Sequence, residues 1–188
     1  CGWHRSSIPR SGCFMFSIWL GRHPRWAWLA FVLFLVAADQ ASKVWFAANI
    51  PLGTGVELTS WLNLVHVLNT GAAFSLLADA GGGQRYFFIA VGVLVVSAVS
   101  FACLTRHAEP LERWIGAVVV AGGAGNLVDR IQTGAVVDFL DLHWRGLHWP
   151  AFNLADVFVV TAVMAWTLSS LRPAMRPTAD APNSKTPA

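Results

Sequence analysis

Residues Tyr86–Thr105 read YFFIAVGVLVVSAVSFACLT, twenty positions without a charged side chain. A helix needs about 20 mostly apolar residues to cross the hydrocarbon core of a bilayer, and this window supplies them without interruption. Three further windows have similar character: Trp26 to Trp45, Trp114 to Ile131 and Phe152 to Leu171, each with polar residues near one end. Together they predict a membrane all-α protein of four transmembrane helices with a small β element. Composition agrees. Of 188 residues 55% are hydrophobic and 12% charged, and the mean hydropathy is +0.53. Soluble domains carry about 25% charged residues. A cleavable leader does not account for the first window, because Ala37-Ala38-Asp39 is a weak cleavage site and the apolar run continues past it.

Lys and Arg near the span ends orient the chain. Arg5, Arg10, Arg22 and Arg25 precede the first span, Arg106 and Arg113 lie between the second and third, and Arg172, Arg176 and Lys185 follow the fourth. Between Phe46 and Gln84 there is no basic residue, and the link from Gln132 to Ala151 holds only Arg145. Both termini are therefore expected in the cytoplasm and the two longer links outside. The expected organisation is a cytoplasmic extension over residues 1–25, a four-helix transmembrane domain over 26–171, and a cytoplasmic tail over 172–188. Met15 is the expected start. The tail lacks aromatic residues and is expected to be disordered. The pI of about 9.1 fits this charge asymmetry better than nucleic-acid binding, since the basic residues form no readable motif.

The first outer link contains Val56-Glu57-Leu58-Thr59-Ser60-Trp61-Leu62-Asn63-Leu64-Val65-His66-Val67-Leu68-Asn69, rich in β-formers and partly alternating. It predicts short strands on the membrane surface, a β-platform at about 46–76. The second, Leu142 to Trp149, carries aromatic residues suited to the interfacial belt. His143 and His148 read as interface residues, and Cys1, Cys13 and Cys103 have no metal-binding spacing, so no metal or cofactor is expected.

Under this topology the polar residues of separate spans meet at one depth. Asp39 and Lys43 lie near the outer end of the first span, Asn126, Asp129 and Arg130 at that of the third, and Asn153 and Asp156 open the fourth. Asp138 stands on the link between the last two. Carboxylates are costly next to a bilayer and mark chemistry or transport. Two that share one proton can divide acid and base roles in hydrolysis, one taking a proton from water and the other donating to a carbonyl. The same pair would also suit an ion-coupled carrier, although carriers place such groups near the midplane and show internal repeats.

Five motifs in order, Asp39-Gln40-Ala41-Ser42-Lys43, Asn69-Thr70-Gly71-Ala72-Ala73-Phe74, Gly125-Asn126-Leu127-Val128-Asp129-Arg130, Val136-Val137-Asp138-Phe139 and Phe152-Asn153-Leu154-Ala155-Asp156, resemble the bacterial lipoprotein signal peptidase (signal peptidase II) family from about Trp26 to Leu171. The resemblance implies a multi-pass aspartic endopeptidase of the inner membrane. Its active site would lie on the periplasmic side, under a small β-platform and a short interfacial helix. It would cleave prolipoproteins on the N-terminal side of a diacylglyceryl-modified Cys, in contact with membrane lipid, and be blocked by globomycin-type cyclic peptides. It carries the catalytic pair onto Asp138 and Asp156. Supporting or substrate-binding roles fall on Asp39, Lys43, Asn69, Gly71, Asn126, Arg130 and Asn153. Of these, Asp39, Lys43 and Arg130 read equally as structural supports or substrate contacts. Asp129, outside the set, reads as structural. Gly122, Gly123 and Gly125 read as close helix packing rather than a phosphate loop, because no basic residue follows at the required position. Ser42 and Lys43 are consecutive and diverge on a helix, so a Ser–Lys protease is disfavoured. Substrate is expected to enter sideways from the bilayer, flanked by the first outer link and Leu142–Trp149.

Overall fold

The computed structural model describes residues 25–71, 83–105 and 109–171. In chain order these form helix α1 (Arg25–Asn49), strands β1 (Gly55–Thr59) and β2 (Leu62–Asn69), helices α2 (Gly83–Thr105) and α3 (Pro110–Gln132), strands β3 (Val136–Trp144) and β4 (Leu147–His148), and helix α4 (Leu154–Ser170). Residues 1–24 of the N-terminal extension, residues 72–82 and 106–108, and the C-terminal tail lie outside the described residues. No short interfacial helix occurs among the described ones.

Helix α3 is the hub, packed by α1, α2 and α4. Its composition explains this. Where α2 is apolar all round and buries only Cys103, α3 interrupts its apolar run with Gly116, Gly122, Gly123 and Gly125, which let neighbouring backbones approach. A Cβ at Gly122 would meet the Ala155 carbonyl oxygen and the Val159 side chain, and one at Gly125 would strike the Asp39 carboxylate. One core cluster gathers Trp28, Val32, Cys103, Ala117, Val120 and Ala121, and the Trp28 indole N–H donates to the Arg113 carbonyl at 2.9 Å. By length and composition α1 and α2 can each cross a membrane. Helix α4 is apolar but shorter, about 26 Å long at 1.5 Å per residue.

The expected β-platform is present with different bounds. Phe46–Asn49 are still the last turn of α1, and the strands begin at Gly55. The four strands form one antiparallel sheet in the order β1-β2-β3-β4, so the second link, expected only as an aromatic interface segment, supplies half of it. Pairing accounts for the change: β2 offers β3 a partner in which Val67 faces Asp138 and Asn69 faces Val136. Phe139 stacks on Phe46 with ring centroids 4.2 Å apart, tying the sheet to α1. His143 and His148 likewise stack on each other within this hairpin, and His148 pairs with Asp141 at 2.9 Å.

The last helix also starts later than expected. Phe152 bonds backbone to backbone with Leu140 (2.8 and 2.9 Å) as an isolated bridge, and Asn153 caps α4. That bridge brings the α4 N-terminus against β3.

The packing at α3 makes a direct stability prediction. Gly122→Ala should destabilise the protein by about 1–3 kcal/mol through overpacking, read as a lower melting temperature in detergent. Gly92→Ala should be tolerated, since its Cβ would meet only Leu127, at 3.4 Å. Equal effects of the two changes would contradict the close approach of α3 and α4.

Candidate active site

Asp138 lies on β3 with 1% of its surface exposed. Its two oxygens accept amide N–H groups from different elements: Oδ1 from Asn153 at 2.6 Å and Oδ2 from Asn69 at 3.0 Å. Asn69 ends β2, one pleat along from the residue opposite Asp138, so strand register supplies this contact. The Asn69 side-chain oxygen in turn accepts the Gly71 N–H at 2.8 Å. Gly71 has φ +98°, and a Cβ there would collide with the Phe88 ring, so the turn requires glycine.

Asp156 stands in the first turn of α4 and is half-buried. Its position follows from a capping box. The Asn153 side chain accepts the Asp156 backbone N–H at 3.1 Å, and the Asp156 carboxylate accepts the Asn153 N–H at 3.3 Å. Asp156 Oδ1 also accepts from the Asn126 amide at 2.7 Å. Asn153 thus touches both aspartates. Its amide donates to Asp138 while its oxygen caps the turn that carries Asp156.

Beneath the pair lies a buried ionic cluster. Lys43 Nζ is 2.9 Å from both Asp39 Oδ2 and Asp129 Oδ2 and donates to Asn126 Oδ1 at 3.0 Å. Asp39 accepts the Ala155 N–H at 2.9 Å, and Asp129 accepts the Val137 N–H at 3.3 Å. The Gln40 amide reaches Asp129 at 2.8 Å and the Gly125 carbonyl at 3.1 Å. Asp39, Lys43, Asn69, Gly71, Asn126, Asn153, Asp138 and Asp156 are therefore brought together. Arg130 sits at the edge, donating to the Asn126 carbonyl at 3.2 Å, with its guanidinium 5.2 Å above the Phe88 ring. Among the described residues it makes no ion pair with either aspartate.

Sequence reasoning singled out neither Gln40 nor Phe88, and it gave Asp129 no named partner. The signal for Gln40 was available: it stands three residues before Lys43, a spacing that makes helix side chains neighbours. Phe88 gave none, because it stands in an unbroken apolar run.

Burial drives the Asp138 carboxyl up to about 6, against hydrogen bonds from Asn69 and Asn153 that favour its charged form; the Asp156 charge adds to the rise and Lys43 opposes it. From Asp156 an apolar hollow of about 420 Å³ runs along α4, lined by Leu142, Trp149, Phe152, Val157 and Val160. A second, of about 540 Å³, lies against Trp61, His143 and Trp144 of the platform and contains no carboxylate. Among the described residues no three His, Cys, Asp or Glu side chains are grouped to hold a metal ion. The site thus sets a buried carboxylate and a half-buried one on the same Asn153 side chain, with an apolar groove beside Asp156.

This arrangement has relatives. Residues 31–172 match the family described as Signal peptidase (SPase) II. The chain is 45% identical to the lipoprotein signal peptidase of Aeromonas hydrophila over 152 residues, 79% of this chain and 89% of the relative. It is 44% identical to that of Tolumonas auensis over 147 residues, 77% and 88% of the two chains. Two solved structures described as bacterial membrane enzymes superpose with TM-scores of 0.69 and 0.70 at 27% and 26% identity, covering 78% and 82% of this chain and 94% and 93% of theirs. The chain belongs to the signal peptidase II family and is a protease of the bacterial membrane.

Proposed function

We propose that the protein is an aspartic endopeptidase that removes signal peptides from prolipoproteins, cleaving on the N-terminal side of a diacylglyceryl-modified Cys. The observation that carries this reading is the pair Asp138 and Asp156, joined through the side chain of Asn153. Two carboxylates with unequal surroundings divide the chemistry. One, ionised, takes a proton from the attacking water. The other, protonated, donates to the carbonyl oxygen of the scissile bond and stabilises the tetrahedral intermediate. The proton taken from water then passes from the first carboxyl to the departing Cys nitrogen, the second carboxylate recovers its proton as the carbonyl re-forms, and the C–N bond breaks to release the signal peptide. No step needs a metal or an organic cofactor.

The raised Asp138 pKa supports its holding the shared proton at mildly acidic pH. The ion-coupled carrier left open by the carboxylates alone gives no account of membership in a protease family. Four membrane-spanning helices, cytoplasmic termini and a periplasmic site belong to the same proposal, supported by the Lys and Arg asymmetry. The apolar hollow beside Asp156 lets the substrate arrive sideways while its lipid remains in the bilayer. Cyclic peptides of the globomycin type would compete for the same cleft.

Either Asp138→Asn or Asp156→Asn should lower turnover of a diacylglyceryl-modified prolipoprotein by about 10³-fold or more, with the melting temperature showing that the variant is folded. Substantial turnover by a folded variant of either kind would overturn the mechanism. Asn69→Ala removes a hydrogen bond that holds the Asp138 pKa down, so the pKa rises further. The alkaline limb of the pH–rate profile should then move up by about one unit; a downward move would assign that limb to another group. A photo-crosslinker at Trp149 should capture substrate. Capture only from the α2–α3 link would contradict lateral entry beneath the platform.

A further inference from the structure

Resting on the proposed dyad, we infer that Lys43 is a positioning residue that sets which end of the Asn126 side-chain amide faces Asp156. An ammonium group has three N–H donors, and a buried one must satisfy them all. Those of Lys43 go to Asp39 at 2.9 Å, Asp129 at 2.9 Å and the Asn126 oxygen at 3.0 Å. None is left for a substrate, so Lys43 acts on the reaction only through what it holds.

It holds an amide that could otherwise turn over. The Asn126 oxygen accepts from Lys43 and from the Asn153 amide at 3.2 Å, while its nitrogen donates to Asp156 at 2.7 Å. Rotated by half a turn, Asn126 would set its N–H₂ against an ammonium and a second N–H₂, and its oxygen against a carboxylate. Every contact would then pair like with like. A cation fixes amide orientation more firmly than a neutral donor, because hydrogen bonds to charged groups are about twice as strong. Lys43 thereby places a donor on Asp156 and presents an oxygen to the Asn153 amide, which also donates to Asp138 at 2.6 Å.

The two carboxylates flanking Lys43 complete the device. Asp39 accepts from the backbone N–H of Ala155, the residue before Asp156, and Asp129 from that of Val137, the residue before Asp138. The cation is anchored to the same two backbone segments that carry the dyad. Its reference position therefore moves with them.

Lys43→Met alone would leave two buried carboxylates unpaired and can unfold the chain. The test therefore uses the neutral triple variant K43M/D39N/D129N, whose Asn oxygens still accept the Ala155 and Val137 N–H groups. Its kcat on lipidated prolipoprotein should fall about 10–100-fold with KM little changed. Asn126→Ala should cause a similar fall, and the combined variant should lose nothing more, because no amide remains to be oriented. Multiplicative losses would overturn the inference and leave Lys43 a helix-joining ion pair.

The side-chain amide resonances of Asn126 in isotope-labelled protein read the same contact without turnover, and decide the matter if rates fall below detection. Asp156→Asn should shift them further when Lys43 is present than in the neutral triple, where only Asp156 and the Asn153 amide bias the side chain. Equal shifts in the two backgrounds, or none in either, would overturn the assignment. Turnover by Asp138→Asn would instead overturn the aspartic mechanism and leave the resonance result standing.

Discussion

A lysine ammonium buried between two carboxylates is the contact on which the rest of this protein depends. Lys43, Asp39 and Asp129 are all nearly inaccessible, and charges in such surroundings persist only when paired and hydrogen-bonded. The pairing draws α1 onto α3, and Gly125 leaves the space the Asp39 carboxylate occupies. Through the Ala155 and Val137 N–H groups the same cluster grips α4 and β3. Helices that lipid alone would leave free to slide are thereby held in a single register. Specific polar contacts serve this purpose well in a membrane, where apolar surfaces meet lipid as readily as protein.

On that base the site is assembled from two kinds of structure. Asp156 owes its place to the first turn of a helix and its capping box, a local device legible over four residues. Asp138 owes its place to a strand. Pairing of β3 with β2 presents Asn69, and the Leu140–Phe152 bridge folds the link back so that Asn153 reaches both carboxylates. The helices supply rigidity and charge, and the sheet supplies the approach of one carboxylate to the other. The half-buried Asp156 faces an apolar hollow, and the buried Asp138 does not line it.

Much of this was legible in the order of residues. Hydropathy marks the helices because apolar run length is a local property, and the polar residues at the ends of those runs announce one site depth. Where expectation and structure diverge, partners distant in sequence are responsible. Helix α3 contains Gly and charged residues that would be poor lipid-facing choices, and it is central because three helices cover it. The segment from Leu142 to Trp149 reads as an aromatic interface segment, yet, with β2 alongside, its start belongs to a strand, Val136–Trp144. Phe152 reads as the start of a helix, yet Leu140 claims its backbone groups.

The sequence by itself determined the apolar segments, the identity of the two aspartates and the set of polar residues around them, since side-chain chemistry and spacing along one helix are written residue by residue. Only the tertiary structure decided who bonds to whom. Lys43 meets Asn126 across 83 positions, Asn69 meets Asp138 across 69, and Asp39 meets the Ala155 backbone across 116. Hydrogen bonds act over about 3 Å and depend on direction. Which of several chemically able residues lies within that reach is settled by how helices and strands pack. In the same way, packing decides which groups reach the Asn126 amide, with the Lys43 ammonium and the Asn153 amide at its oxygen and Asp156 at its nitrogen.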